Sequence, residues 1–220
     1  MKQFQGVWFP DHETHLQDWM AKAGEIVDGR GTYQIKKLRT AVGLCKQRRV
    51  AVDIGGHVGL WSMQLAKMFN VLHAFEPVAA HRECWQANMQ TAQDECYLHA
   101  FALGEREGMI SIFTEKGSSG NSHIDINAKG DYNIPMKTLD SLVLDEVDFM
   151  KLDTEGYEEN ILRGAIETIK RCRPVIIVEQ KRDMAEARFG LRPRGAVTFL
   201  ESLGYKMVKE MSGDYIMVPT

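Results

Sequence analysis

The stretch Val50-Ala-Val-Asp53-Ile-Gly55-Gly56-His57-Val-Gly59-Leu-Trp61 restricts the possible folds of this chain more than any other. A short β-branched run ends in an acid, glycines follow at once, and an apolar pattern of helical spacing begins. That order specifies a buried strand, a tight turn with its backbone laid open, and a helix whose N-terminus points at whatever the turn holds. Other apolar runs end the same way: Val71–Phe75 leads into Glu76-Pro77, Val147–Leu152 into Asp153, and Pro174–Val178 into Glu179. Strands alternating with helical stretches of roughly 10–15 residues form parallel sheets with right-handed crossovers. The acids Asp53, Glu76, Asp153 and Glu179 then share the carboxyl edge of one sheet, where open α/β folds bind ligands.

Ahead of this rhythm, Leu16, Trp19, Met20 and Ala23 recur at helical spacing and predict an amphipathic helix ended by the Gly29-Arg-Gly31 turn. A second helix is expected over Tyr33–Lys46. In the core, helices are expected over Leu60–Phe69, Ala79–Ala92, Glu158–Lys170 and Ala196–Leu203, and a third strand over Tyr97–Leu103. Pro77 is tolerated because a helix starts there. Between residues 105 and 147 the rhythm breaks. Met109–Thr114 alternates as an antiparallel strand with one wet face, Gly117–Ser122 has the composition of a loop, Ile134–Leu139 is a short strand, and a turn of helix falls at Thr138–Leu142. Tyr205–Lys209 and Tyr215–Val218 flank Ser212-Gly213-Asp214 as a terminal hairpin. The expected organisation is an N-terminal helical extension, residues 1–48, packed on a domain of residues 49–220.

Composition narrows the classes. With 220 residues, 44% hydrophobic and 26% charged, the chain suits one soluble α/β domain. A net charge of −3 gives no electrostatic reason to expect nucleic acid or an anionic membrane as partner. No apolar run approaches the ~18–20 residues of a membrane span, and Met1-Lys-Gln-Phe-Gln-Gly lacks the apolar core of a signal peptide, so a cytoplasmic location is expected. Cys45, Cys84, Cys96 and Cys172 lie far apart without a C-x-x-C pair and read as free thiols. His12, Glu13 and His15 invite a metal reading, but no second cluster accompanies them and polar residues at a helix start account for them as well; no metal is expected.

A glycine turn after the first core strand has three chemical readings. A dinucleotide site wants G-x-G-x-x-G; starting at Gly55 puts His57 and Leu60 where glycines belong, and starting at Gly56 puts Val58 and Trp61 there. A P-loop requires a lysine after the turn, and none is present. The third pattern is D-x-G-x-x-x-G, here Asp53, Gly55 and Gly59, which suits S-adenosylmethionine (SAM). That cofactor has no phosphates but carries an amino-acid head, whose ammonium suits the strand-end acid and whose carboxylate suits free N–H groups at the turn. Glu76 is placed to take the ribose hydroxyls. A turn serving close packing alone leaves the four strand-end acids unexplained.

Taken in order, Val52-Asp53-Ile-Gly55-Gly56-His57-Val-Gly59, Ala74-Phe75-Glu76-Pro77, Ala102-Leu103-Gly104, Lys151-Leu-Asp153-Thr-Glu155-Gly156-Tyr-Glu158 with Ile161-Leu162-Arg-Gly164-Ala165, and Pro174 through Glu179 resemble the FkbM-type SAM-dependent methyltransferases. Gly56-His57 stands where many members carry Ala-Asn. The resemblance implies a Rossmann-like, seven-stranded, mostly parallel sheet with helices on both faces and a C-terminal antiparallel hairpin. It implies SAM as cofactor, held by Asp53, Gly55, Gly56, His57, Gly59, Glu76, Pro77, Ala102 and Leu103, and methyl transfer to an oxygen or nitrogen of a small-molecule or glycan acceptor. Asp153 would face the sulfonium methyl with Glu155 nearby. Since a hydroxyl acceptor must lose its proton, Asp153 is the first choice of base. Glu155 is a second base, an acceptor anchor, or a carboxylate stabilising the next helix. Ser118–Ser122 and His123 form either a lid or a solvent loop. The rival class is a non-catalytic SAM- or nucleoside-binding partner module.

Overall fold

In a computed structural model, the described residues are 1–92, 95–114, 119–125, 132–181 and 184–220. Seven strands, β1 (Val50–Ile54), β2 (Val71–Phe75), β3 (Cys96–His99), β4 (Val147–Leu152), β5 (Val175–Glu179), β6 (Tyr205–Met211) and β7 (Asp214–Pro219), form the main sheet in the order β6-β7-β5-β4-β1-β2-β3. The pairs from β3 to β5 are parallel, while β7 lies antiparallel to both β5 and β6. The helices are α1 (His15–Ala23), α2 (Ile35–Val42), α3 (Ser62–Leu65), α4 (Ala79–Asn88), α5 (Glu158–Arg163), α6 (Ile166–Cys172), α7 (Met184–Phe189) and α8 (Gly195–Ser202).

The mainly apolar central strands follow from having helices on both faces. Val52, Ile54, Met150, Leu152, Ile176 and Val178 join one core with α5, α6 and α8. Ala51, Phe149, Val175 and Ile177 join the other with α1, α2 and α4. Each of these side chains larger than alanine contributes about 1.5–3 kcal/mol over leaving it in water.

The sequence pattern and the structure part in a few places. The helix expected over Glu158–Lys170 is two helices, because Gly164 passes so close to Gly104 that a Cβ would stand 2.0 Å from the Gly104 carbonyl oxygen. The strand expected over Tyr97–Leu103 leaves the main sheet at His99, and Ala102–Leu103 pairs instead with Tyr132–Lys137. That pairing belongs to a smaller sheet in which Gly108–Phe113 lies antiparallel to both His123–Asp125 and Tyr132–Lys137. The expected strand at Met109–Thr114 is thus present, while 117 and 118 of the expected loop fall outside the described residues. The helix expected over Leu60–Phe69 is regular only at Ser62–Leu65. The one expected over Tyr33–Lys46 stops at Gly43. Ahead of β1, short hairpins at Lys2–Phe9 and Ile26–Gly31 accompany α1 and α2. No helix among the described residues is long and apolar enough to cross a membrane.

Candidate active site

The turn after β1 is defined by contact with β4. Gly55 has φ +77°, and a Cβ on it would stand 2.0 Å from the Asp153 carbonyl oxygen, so only glycine lets the two backbones meet. His57 has φ +47°, a conformation non-glycine residues seldom adopt, and its N–H donates to Glu76 Oε2 at 2.9 Å. The turn is therefore fastened to the end of β2 as well as to the end of β4. Gly59 (φ +91°) lies further along, against the Trp85 ring.

Asp53 and Lys151 are register partners on adjacent strands and share a face of the sheet. Asp53 is fully enclosed behind the turn. Trp85 Nε1 donates to Ser62 Oγ at 2.8 Å, which donates to Asp53 Oδ2 at 2.6 Å. Lys151 Nζ lies 3.4 Å from Asp53 Oδ1 and 3.7 Å from Asp153 Oδ2, and donates to the Gly55 carbonyl at 2.8 Å. Burial opposes its charge, but Asp53, Asp153 and Glu179 outweigh that and hold the ammonium above its usual value. A lysine between two strand-end acids was not singled out from the sequence; its place in the Lys151-Leu-Asp153 run was the available signal.

Asp153, Glu155 and Glu179 bring carboxylate oxygens within 4.8 Å of one another. Such a trio can hold a hard cation, but each acid already faces a side-chain cation: Asp153 has Lys151, Glu155 has Arg188 at 3.1 Å, and Glu179 has Lys181. The cluster is charge-balanced by the protein itself. Burial, then the Asp153 charge, push Glu179 up to about 10, so Asp153 and Glu179 share one proton. Burial would raise Asp153 too, yet Lys151 and the Glu179 hydrogen bond outweigh it and hold it low. Glu155 differs: burial and the Asp153 charge lift it to about 7, against the pull of Arg188.

The loop bearing these acids is held from beneath by Glu158, which sequence reasoning placed in a motif without a role. Its buried Oε1 accepts the Thr154 and Gly156 N–H groups at 2.9 and 3.0 Å and the Thr154 hydroxyl at 3.0 Å, and Oε2 accepts Gln180 Nε2 at 3.0 Å. Between them Glu155 sits at φ +61°, its carbonyl bound by Arg188 at 2.7 Å.

One cleft joins these parts, with about 1060 Å³ of non-protein space, solvent at its mouth included. Gly55, Gly56, His57, Glu76, Pro77, Ala102, Leu103, Asp153 and Glu155 line it; Asp53 and Gly59 do not. Phe75, Val78, Ala102 and Leu103 give it an apolar end, and Trp61 and Tyr33 wall the acid end. Glu76 Oε1 also accepts Val78 N–H at 2.8 Å and meets His81 Nδ1 at 3.2 Å. With the His57 bond, these partners leave a carboxylate of about four acceptor positions room for about one more donor. Ser119 and Ser122 of the expected loop line the cleft too, while Ser118 lies outside the described residues. Glu13, from the stretch that invited a metal reading, is turned inward and fully buried.

The methyltransferase FkbM domain matches residues 53–207. Among solved structures, the chain is similar to methyltransferase FkbM from Methylobacillus flagellatus, with a TM-score of 0.55 and 16% identity over 80% of this chain and 44% of that one. It spans less than half the length of that protein. A Streptococcus mutans protein solved in complex with S-adenosylhomocysteine gives a TM-score of 0.51 at 8% identity, over 84% of this chain and 96% of that one. The N-methyltransferase NodS from Bradyrhizobium japonicum gives 0.50 at 11% identity, over 84% and 94%. At these identities the likeness is one of fold. No curated protein matches the chain.

Proposed function

Because the chain belongs to the methyltransferase FkbM domain family, we propose that it binds SAM in this cleft and transfers the methyl group to an oxygen, or a nitrogen, of a small-molecule or glycan acceptor. The observation that carries this reading is the single cleft in which Glu76 at the end of β2 and the Asp153–Glu155 loop after β4 flank the Gly55 turn.

The residues present fit the cofactor. An amino-acid head would lie against Gly55, Gly56 and His57, a ribose hydroxyl against Glu76, and the adenine among Phe75, Val78, Ala102 and Leu103. Asp53 would act from behind the turn, fixing Ser62 and Lys151. When bound, SAM supplies a methyl group already activated by its sulfonium. The protein's part is then alignment, worth up to ~7–11 kcal/mol in favourable cases, and removal of the acceptor's proton. Between the two candidate bases, Glu155 is better matched to neutral pH, since proton transfer is most efficient when the base's pKa lies near the working pH. Asp153, kept ionised beside Lys151, contributes fixed negative charge and alignment.

Calorimetry with SAM, S-adenosylhomocysteine and NAD tests the first step: tight binding of the first two and none of NAD is expected. Transfer of labelled methyl groups to a panel of hydroxyl and amine acceptors tests the second. SAM binding without transfer to any acceptor would favour a non-catalytic binding module.

A further inference from the structure

Glu13 is a fully buried carboxylate outside the family's matched residues and outside the chemistry above. It faces no side-chain cation in an ion pair among the described residues. Its Oε1 accepts the Leu16 N–H at 2.7 Å, in the first turn of α1. Its Oε2 accepts the Ser119 N–H at 2.7 Å and also meets the Ser119 hydroxyl. Ser119 Oγ in turn lies 2.8 Å from His57 Nε2. A carboxylate of the N-terminal extension thus reaches the glycine turn through one serine of the segment that lines the cleft above it.

The network fixes where the protons lie. Both Glu13 oxygens already accept backbone N–H groups, so the carboxylate acts as acceptor and the Ser119 hydroxyl spends its one proton on it. Ser119 Oγ can then only accept from His57, which must carry its proton on Nε2. Burial and the neighbouring His81, whose ring centroid is 4.3 Å away, keep the imidazole neutral.

We infer that Glu13 and Ser119 are positioning residues of the cofactor site: they hold the His57 proton on Nε2, so that the turn offers the bound ligand an Nδ1 acceptor. This rests on the SAM reading, and it supplies a requirement that Asp53 does not meet. SAM carries an ammonium and a sulfonium; Asp53 is enclosed behind the turn and held by Ser62 and Lys151, whereas His57 lines the cleft.

The test uses Ser119→Ala, which keeps the Glu13 contact with the residue 119 N–H and removes the hydroxyl that joins Glu13 to His57, beside Glu13→Gln. Long-range ¹H–¹⁵N spectra of the full chain report the His57 tautomer, and calorimetry reports SAM and S-adenosylhomocysteine affinity. The expected result is a pure Nε2–H pattern in the wild type, a mixed or Nδ1–H pattern in Ser119→Ala, and roughly tenfold weaker binding of both ligands, the scale of one lost hydrogen bond to a charged group. An unchanged tautomer, or unchanged affinity with a changed tautomer, overturns the inference. If the wild type binds neither ligand, the cofactor reading and the role assigned to His57 fall together. A wild type that binds both beside a Ser119→Ala protein that binds equally well refutes the positioning role alone.

Discussion

Adding one methyl group at Gly55 should separate the two strand ends that make the site. A Cβ there would stand 2.0 Å from the Asp153 carbonyl oxygen, about 1.4 Å inside ordinary contact. Left-handed backbone at a residue with a side chain costs about 1–2 kcal/mol, and overpacking a tight interior costs about 1–3 kcal/mol more. At ~2–4 °C per kcal/mol for a domain of this size, Gly55→Ala should lower Tm by roughly 4–20 °C. The surviving folded protein must shift the β4 end away from the turn, and a misplacement of ~1 Å between reacting groups costs on the order of 10²-fold in rate. Gly29→Ala is the matched control, since Gly29 has φ +75° but nothing within 4 Å of a Cβ; it should show the backbone strain alone. Thermal melts and SAM calorimetry on both variants decide the matter. If Gly55→Ala melts within about 2 °C of Gly29→Ala and binds SAM like the wild type, the close approach is not what demands glycine.

Lys151→Met should strand Asp53 and Asp153 without their shared cation, destabilising by about 3–5 kcal/mol; denaturant melts measure this, and adding Asp53→Asn should recover part of the loss. Glu155→Gln should leave SAM affinity within about threefold and cut transfer to a hydroxyl acceptor by ~10²–10⁴. In the wild type that rate should rise with pH through about 7 as Glu155 loses its proton, and a profile flat across that range would remove Glu155 as the base. His99, 3.0 Å from His73, is held down to about 4 by burial and by His73. The unfolded chain therefore binds a proton below about pH 6.5 that the folded one refuses until about 4. Stability should fall as pH drops through that window, and His99→Phe should flatten the fall in urea melts.

The sheet was legible because buried parallel strands are written as continuous apolar runs, and each of the four acids that ends a run stands at the carboxyl edge. Strand–turn–helix spacing also places Gly55, Glu76 and Asp153 at one site, and all three line the cleft. The break at Gly164 was hidden because it depends on Gly104, far away in sequence. The places of Lys151 and Glu13 were hidden for the same reason. A lysine in an apolar strand reads as a solvated residue until register sets it beside Asp53, and Glu13 reads as an exposed acid at a helix start until Ser119 reaches it. Periodicity reports which face a residue shares within one element, and these partners lie on different elements. The expectation that Asp53 meets the ligand's ammonium followed from position alone; its enclosure depends on Ser62 and Trp85 covering it.

The strand order also sets a timetable. β5, whose residues are all buried, gains its outer neighbour only from β7, and β7 lies between β5 and a strand made earlier, β6. Until residues 214–219 have been synthesised, the chain carries an open edge of Val175-Ile-Ile-Val178 beside the completed parallel strands. Such an edge pairs readily with any other extended chain. Nascent chains halted before residue 214 should therefore recruit chaperones far more than chains halted beyond residue 219 with the same tether. The reversed last strand acts as the clasp that covers this buried, apolar edge.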